Sequence, residues 1–208
     1  MWIDSIILML TCYLLGNLNG AVSISKIIAH EDVREKGSGN AGLTNFIRNY
    51  GAMGGLLVIL VDGGKAVLAC LAGGLILAPY GYALEGRMLG GLMVTLGHNF
   101  PALLGFKGGK GILSALFIGF CVDWRIALIG LAVFIVAYAI TQYVSLGSVL
   151  GSSAYAVCFV WLYSDRPWVM GMGVALSLLA IFMHRSNILR LVKGNERKTN
   201  LFKKAGSQ

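Results

Sequence analysis

Charged residues are scarce in this chain. Only 12% of its 208 residues are Asp, Glu, Lys or Arg, whereas about 25% is usual for a soluble domain. Hydrophobic residues make up 57%, and the mean hydropathy is +0.75. The chain therefore has too few polar side chains to cover a globular surface. These features argue against an ordinary soluble domain and indicate an integral membrane protein.

Sequence patterns for disulfide or metal chemistry are also missing. The four cysteines lie singly in apolar runs, without a C-x-x-C pair, which is typical of small buried side chains. No acidic cluster suits a divalent cation, so we expect neither a metal nor another cofactor. Residues 1–4 lack the positive charge that opens a signal peptide, so we expect the first apolar segment to be retained as a helix.

The basic residues of the chain are distributed around its apolar segments. The formal net charge is +8, which in a soluble protein would suggest nucleic acid as a partner. Here the Lys and Arg residues flank apolar runs, which favours a role in membrane orientation. The charge therefore predicts the lipid bilayer as the partner and argues against nucleic acid.

Apolar segments predict an all-α integral membrane protein with a single domain over residues 1–208. The segments are 3–28, 51–77, 88–98, 112–122, 126–142, 149–163 and 169–183. A full crossing needs about 20 apolar residues, so segments 88–98 and 112–122 are short. We expect seven transmembrane helices, two of them short; five full spans with a re-entrant pair remain the alternative. The polar tail 199–208 is expected to be mobile.

The positions of Lys and Arg predict the orientation. With the N-terminus outside and seven crossings, thirteen of the 17 Lys and Arg residues lie near inner loops or in the tail, and three lie in outer loops. This asymmetry follows the positive-inside rule and places the C-terminus in the cytoplasm. Three polar, Gly- or Asn-containing stretches of the chain then all face the cytoplasm.

The first polar stretch has the sequence GSGNAGLTNFIR and covers residues 37–48. It matches G-x-G-x-x-G but follows an apolar helix rather than a strand, so we reject a dinucleotide fingerprint. It combines backbone N–H groups with Ser, Asn and Thr side chains and an arginine, which is the chemistry of an anion site. We interpret it as a ligand-binding loop rather than a flexible connector. Its candidate contacts are Ser38, Gly39, Asn40, Gly42, Thr44, Asn45 and Arg48.

The second polar stretch has the sequence FKGGKG and covers residues 106–111. A positive anchor at the membrane surface would need its lysines but not its glycines, so the stretch favours a phosphate loop. It lacks the G-x-x-x-x-G-K-[ST] pattern, and a nucleotide P-loop is not supported. His98 ends the preceding segment at the same face, where structural and binding roles are both open. The candidate contacts in the stretch are Lys107, Gly108, Gly109, Lys110 and Gly111.

The third polar stretch has the sequence HRSNILR and begins at His184. On a helix, His184, Asn187 and Arg190 would share one face, because they are spaced by three residues. A basic helix end would explain Arg190 but neither His184 nor Asn187. The short inner loop before residue 149 adds Ser145 and Ser148, which alone would indicate a helix cap or turn; beside the other loops they become candidate phosphate donors.

Asp62 and Lys65 lie three residues apart inside an apolar segment. Charges within a membrane are costly and are usually paired or functional. A helical ion pair is the simpler interpretation. The alternative is that Lys65 reaches a substrate phosphate, so Lys65 stays among the candidate contacts.

At these motifs the chain resembles the bacterial acyl-phosphate:glycerol-3-phosphate acyltransferases, the PlsY family. The resemblance lies in residues 37–48, 97–111, 145–148 and 184–196, and in length, segment count and motif order. It implies transfer of a fatty acyl group from acyl phosphate to glycerol 3-phosphate, giving lysophosphatidic acid and phosphate. It also implies a seven-helix fold in the bacterial cytoplasmic membrane, with the active site at the cytoplasmic face.

The resemblance suggests roles for the candidate residues. Acyl phosphate is an activated mixed anhydride, so the main tasks would be positioning and charge stabilisation. We assign the first stretch to the acyl-phosphate head group. His184 and Asn187 would orient the attacking hydroxyl, with His184 the candidate general base unless the leaving phosphate takes the proton; Ser38 as a covalent nucleophile is a third option. The phosphate of glycerol 3-phosphate is assigned to Lys107, Lys110, Ser145 and Ser148. The candidate catalytic residues are Ser38, Arg48, His184 and Asn187.

A transporter or binding protein for a phosphorylated metabolite is the competing hypothesis, since it would use the same anion loops. Transporters commonly show internal repeats and broken helices at mid-membrane. Here the polar motifs gather on one face, which favours an enzyme. We expect a monomer, near an enzyme that produces acyl phosphate. The acyl-chain preference and the phosphate held by each loop stay open.

Overall fold

The computed structural model describes residues 1–199, which contain helices and no strand. Three short 3-10 helices lie at Val33–Glu35, Ala78–Tyr80 and Ala102–Leu104. The α-helices of this part of the chain are α1 Trp2–Gly16, α2 Gly20–Ala29, α3 Leu43–Tyr50, α4 Ala52–Leu77, α5 Ala83–Asn99, α6 Ile112–Val122, α7 Trp124–Thr141, α8 Val144–Leu162, α9 Pro167–Met183 and α10 Arg185–Val192.

Several of these helices are long and apolar enough to cross a membrane. Within residues 1–199, four stretches qualify: Trp2–Ala29, Ala52–Tyr80, Trp124–Thr141 and Val144–Leu162. A fifth candidate is the pair α9 and α10, which is bent by 55° at its junction. Each predicted apolar segment coincides with a helix or a helix pair, so the all-α architecture is confirmed. The count of seven crossings and the orientation of the termini stay predictions.

Helices α1 and α2 come from one predicted segment that is broken at residues 17–19. Asn19 caps α2, because its Oδ1 accepts from the N–H of Val22 at 3.0 Å, and its Nδ2 donates to the carbonyl of Ala41 at 3.0 Å. The carbonyls of Gly16 and Leu18 accept from the Lys65 ammonium. Unpaired carbonyls inside an apolar bundle are costly, so these polar side chains make the break possible.

Glycines bring α1, α4 and α5 into backbone contact. A Cβ on Gly73 of α4 would lie 2.0 Å from the carbonyl oxygen of Gly86 on α5. A Cβ on Gly97 of α5 would lie 2.0 Å from the carbonyl oxygen of Tyr13 on α1. Small residues allow this close approach of membrane helices. The packing places His98, near the end of α5, beside the break between α1 and α2.

The polar stretches form a cap over one end of the bundle. Helix α3 lies here and carries Arg48 in its second turn, as the sequence predicts, while its Phe46 is fully buried. The chain after α10 returns over the same end, where the N–H of Thr199 donates to the Gln142 carbonyl at 3.0 Å and the Tyr138 hydroxyl donates to the Thr199 carbonyl at 2.8 Å. Of the tail predicted to be mobile, 199–208, residues 200–208 lie outside the described part of the chain.

Candidate functional site

A cavity of about 610 Å³ opens at the capped end of the bundle and continues between α6, α7, α8 and α9. Four of the predicted site residues do not line it: Lys65, Lys107, Gly108 and Gly109. Its mouth is polar and brings together the other candidates from all three stretches. These are Ser38, Gly39, Asn40, Gly42, Thr44, Asn45, Arg48, His98, Lys110, Gly111, Ser145, Ser148, His184 and Asn187.

Asn45 holds the first polar loop in shape. Its Oδ1 accepts from the N–H of Ser38 at 2.9 Å. Its Nδ2 donates to three carbonyls, those of Val33, Lys36 and Asn40, at 3.0 to 3.1 Å. Since Asn45 is only 2% exposed and its amide is occupied by the loop, its main role is to shape the loop rather than to hold a ligand directly.

The glycines on either side of Ser38 allow the loop to turn. Gly37 and Gly39 have φ of 60° and 71°, a left-handed conformation that costs glycine little. A Cβ on Gly37 would also lie 2.4 Å from the Oδ1 of Asn45. The Ser38 hydroxyl has no hydrogen-bond partner within residues 1–199 and belongs to the cavity wall, so it is available to a ligand.

Cationic side chains from three elements meet at the mouth. Lys110 donates to the Oδ1 of Asn187, and Arg48 donates to the Thr199 hydroxyl. Burial, together with the positive charges of Arg190 and Arg48, lowers the pKa of Lys110 to about 8, against the opposing effect of Glu196. Neighbouring cations disfavour the protonated form of Lys110, and a bound anion would stabilise that form. This cluster is therefore suited to bind phosphate.

Glu196 is the central residue that sequence reasoning missed. Its Oε1 accepts from the Ser145 hydroxyl at 2.8 Å and from the Asn187 amide at 2.7 Å, and its Oε2 accepts from the Nε of Arg190 at 2.7 Å. Burial would raise the pKa of Glu196, but hydrogen bonds from Asn187, Ser145 and Arg190 hold it below the usual value. The available signal was that Glu196 is the only acid among residues 184–208.

His184 lies at the junction of α9 and α10 and is 3% exposed. Its Nδ1 lies 2.8 Å from the Ala180 carbonyl, which assigns the ring proton to Nδ1 and leaves Nε2 as an acceptor. Burial, with the positive charge of Lys110, lowers the pKa of His184 to about 4. The imidazole is therefore neutral at neutral pH, and it is a weak base.

Asp62 and Lys65 form a buried ion pair with 2.8 Å between the Asp62 Oδ1 and the Lys65 Nζ. The ammonium also donates to the carbonyls of Gly16 and Leu18, and its Nζ lies 3.0 Å from the Nδ1 of His98. An ammonium has three protons, and here they are occupied. The geometry therefore supports the structural ion pair and does not bring Lys65 to the substrate cavity as a phosphate contact.

The second polar stretch divides into a supporting part and a cavity part. Lys107 is exposed. A Cβ on Gly108 would lie 2.0 Å from the carbonyl oxygen of His98, and one on Gly109 would lie 2.2 Å from the Nε2 of His98. The N–H of Gly109 donates to the His98 carbonyl at 3.1 Å. These two glycines thus pack the loop against His98 and thereby place Lys110 at the mouth.

Below the polar mouth the cavity becomes apolar. Helix α6 contributes Leu113 and Leu116, α7 contributes Leu131 and Phe134, and α9 contributes Leu176. No group of three His, Cys, Asp or Glu side chains that could hold a metal ion occurs within residues 1–199. A cationic mouth that continues into an apolar groove suits a ligand with an anionic head and a hydrocarbon chain.

The chain is similar to known proteins over most of its length. The family described as glycerol-3-phosphate acyltransferase matches residues 6–194. The glycerol-3-phosphate acyltransferase of Finegoldia magna is 39% identical over 93% of this chain and 95% of its own length. That of Clostridioides difficile is 42% identical over 93% of this chain and 94% of its own length.

Solved structures of a glycerol 3-phosphate acyltransferase are also similar to this chain. The crystal structure of PlsY (YgiH), an integral membrane glycerol 3-phosphate acyltransferase, in its glycerol 3-phosphate form has a TM-score of 0.84 at 32% identity, covering 96% of this chain and 99% of that chain. Its lysophosphatidic acid form has a TM-score of 0.79 at 32% identity, with coverages of 95% and 96%.

Proposed function

Since the chain belongs to the glycerol-3-phosphate acyltransferase family, we propose that its cavity transfers a fatty acyl group from acyl phosphate to glycerol 3-phosphate. The resemblance found in the motifs is confirmed, and the chain is a multi-pass membrane enzyme that produces lysophosphatidic acid. The transporter hypothesis is not favoured.

The proposed acyl donor is acyl phosphate. The observation that carries this proposal is that a cationic mouth and an apolar groove belong to one cavity. Such a shape accommodates a phosphate at the mouth with the acyl chain below it. The mouth also offers separate sets of donors, one in the first loop and one around Lys110, so that two phosphates can bind side by side.

The first loop is assigned to the acyl-phosphate head group. The Ser38 hydroxyl is unpaired within residues 1–199, and the loop leads into the N-terminus of α3, which has no side-chain cap and lines the cavity with Leu43 and Thr44. Backbone N–H groups and a nearby arginine are a common anion site. Arg48, reaching from α3 to the same mouth, would neutralise charge on the leaving phosphate, which is where negative charge develops as the acyl–oxygen bond breaks.

Lys110 and Asn187 are assigned to glycerol 3-phosphate. Ser145 and Ser148 are assigned to the cavity wall beside them, because the Ser145 hydroxyl donates to Glu196 at 2.8 Å and the Ser148 hydroxyl donates to the Val144 carbonyl at 2.9 Å. The Asn187 amide bridges Lys110 and Glu196, because its Oδ1 accepts from the lysine and its Nδ2 donates to the carboxylate. The same carboxylate fixes Arg190. Glu196 would thus act as a positioning residue that holds these donors in one geometry, and positioned donors are a main source of catalysis.

In the proposed reaction, a hydroxyl oxygen of glycerol 3-phosphate attacks the acyl carbonyl carbon. The new carbon–oxygen ester bond forms, the bond between that carbon and the phosphate oxygen breaks, and phosphate leaves. The hydroxyl proton goes either to the Nε2 of His184 or to the leaving phosphate. A phosphate group accepts a proton with a pKa near 6, whereas that of His184 is about 4. Phosphate is the stronger base, so we assign the proton to it and orientation of the hydroxyl to His184.

We also propose that the mouth faces the cytoplasm of a bacterial cell, in the inner membrane, with the N-terminus outside and seven crossings. The polar stretches with their Lys and Arg residues lie together at the capped end of the bundle, which agrees with the positive-inside rule. We further propose that the protein works as a monomer near an enzyme that produces acyl phosphate.

Turnover in detergent tests the donor and the site. Purified protein receives glycerol 3-phosphate and palmitoyl phosphate without added metal, and phosphate release and lysophosphatidic acid are measured together. We expect equal amounts of both products, with loss of turnover in Ser38→Ala and Arg48→Ala. Ser153→Ala is the matched control, because Ser153 is exposed on α8 and lies outside the cavity. Folded protein that uses an acyl thioester but not acyl phosphate would refute the proposed donor.

A further inference from the structure

The apolar part of the cavity has a defined floor. Along their helices, the lining residues farthest from the polar mouth are Ala127 on α7, Tyr155 on α8 and Leu176 on α9. The tightly packed core of the bundle continues beneath this level. Its side chains next to the floor have no exposed surface and include Ile118, Ile126 and Phe159.

Tyr155 is fixed in place at this floor. Its hydroxyl donates to the Ala115 carbonyl of α6 at 2.7 Å, and its ring centroid lies 5.2 Å from that of Phe159. A Cβ on Gly119 would lie 2.7 Å from the Tyr155 hydroxyl oxygen, and a Cβ on Gly130 would lie 3.3 Å from its ring. Since glycines of α6 and α7 make room for the ring and the core closes behind it, Tyr155 cannot move aside easily.

The distance from the polar mouth to this floor is limited. Ser145 at the mouth and Tyr155 at the floor lie on the same helix, ten residues apart. At 1.5 Å per residue the groove is about 15 Å deep, roughly half of a hydrocarbon layer of about 30 Å. A chain that runs down the groove would meet the Tyr155 ring at that depth.

We infer that Tyr155 is the specificity-determining residue that sets the longest acyl chain the cavity accepts. The inference rests on the proposed function, because it takes the apolar groove as the place of the acyl chain. Each methylene that enters the groove raises affinity roughly fourfold. Methylenes beyond the floor gain nothing or clash with the ring.

Substitutions at two levels of the groove test the inference. Tyr155→Ala removes the ring and deepens the groove. Ser152→Leu adds an apolar side chain about one helical turn, roughly 5 Å, nearer to the mouth. Tyr155→Phe keeps the ring and loses only the hydroxyl. Tyr163→Ala is the aromatic control, since Tyr163 directly follows α8 and does not line the cavity.

The primary measurement is kcat/KM with lauroyl, myristoyl, palmitoyl and stearoyl phosphates, each expressed relative to the parent enzyme so that differences in substrate solubility cancel. We expect Tyr155→Ala to raise the ratio of stearoyl to myristoyl turnover by at least about fourfold, the gain from one further buried methylene. Ser152→Leu should shift the preference towards shorter chains, and Tyr155→Phe and Tyr163→Ala should leave it unchanged. Active Tyr155→Ala enzyme with the parent's chain-length profile overturns the inference.

A binding measurement separates this inference from the proposed donor. Thermal stabilisation of each variant is measured with lysophosphatidic acids that carry the same four chains. If acyl phosphates fail as donors but Tyr155→Ala shifts the best-stabilising chain to a longer one, the donor is refuted and the floor is supported. An unchanged stabilisation profile overturns the floor. If Tyr155→Ala does not fold, the same comparison in Ser152→Leu decides.

Discussion

Replacing each of the two lysines in the second polar stretch by alanine should show which one contacts the substrate phosphate and which one is only a surface charge. Lys110 lines the cavity and donates to Asn187, whereas Lys107 is exposed outside it. A hydrogen bond to a charged group contributes about 1.5–3 kcal/mol, and each 1.4 kcal/mol is tenfold. We therefore expect Lys110→Ala to lower kcat/KM for glycerol 3-phosphate roughly 10- to 150-fold. Lys107→Ala should change it less than about twofold, as surface charges usually do.

The assay is steady-state turnover with the concentration of glycerol 3-phosphate varied at saturating acyl phosphate, and then the reverse. Because Lys110 is assigned to glycerol 3-phosphate, its loss should raise KM for that substrate more than for the acyl donor. Lys110→Arg, which keeps the positive charge, should recover part of the activity. Equal losses in Lys110→Ala and Lys107→Ala, or a loss confined to the acyl donor, would contradict the reasoning.

Three further predictions follow from the same geometry. First, the Lys110 pKa of about 8 lies below the usual value for lysine, and a bound phosphate raises it again; kcat/KM for glycerol 3-phosphate should therefore be highest below pH 8 and fall as the pH rises through it. In Lys110→Arg this alkaline fall should move upwards or disappear, and an unchanged pH profile would count against Lys110. Second, the Glu196 carboxylate holds Arg190 and keeps the pKa of Lys110 from falling further. Glu196→Gln removes this charge, so kcat/KM should drop about tenfold, and the alkaline fall should begin at lower pH because the pKa of Lys110 is lowered. Wild-type kinetics would exclude the positioning role. Third, Gly109→Ala should destabilise the protein by about 1–3 kcal/mol, because its Cβ would lie 2.2 Å from His98. Gly171→Ala is the control, since its Cβ would meet open space, and equal melting temperatures of the two variants would contradict the packing argument.

The break between α1 and α2 shows where sequence patterns stop being informative. Segment 3–28 is apolar throughout most of its length, and hydropathy alone predicts one continuous helix. The break depends on Asn19, which caps α2, and on Lys65, which lies 47 residues after Leu18 and binds its carbonyl. A side chain so distant in the sequence leaves no local signal, so the pairing could be known only from the folded bundle.

The first polar loop shows a similar limit. Its composition predicted an anion site, and its residues do line the cavity. Composition could not distinguish Ser38, whose hydroxyl is free within residues 1–199, from Asn45, whose amide is occupied by backbone groups of the loop. Both are small polar residues that suit phosphate, and only the hydrogen-bond geometry separates a ligand contact from a supporting residue.

The sequence by itself determined the all-α membrane class, the positions of the apolar helices and the three polar stretches that meet at one mouth. These follow from hydropathy, charge and local glycine content, which are properties of the chain before it folds. The tertiary structure decided that Lys65 and Lys107 lie outside the cavity, that Glu196 lies at its centre and that Tyr155 forms its floor. Each of these depends on contacts between helices far apart in the sequence, and such contacts exist only once the bundle has packed.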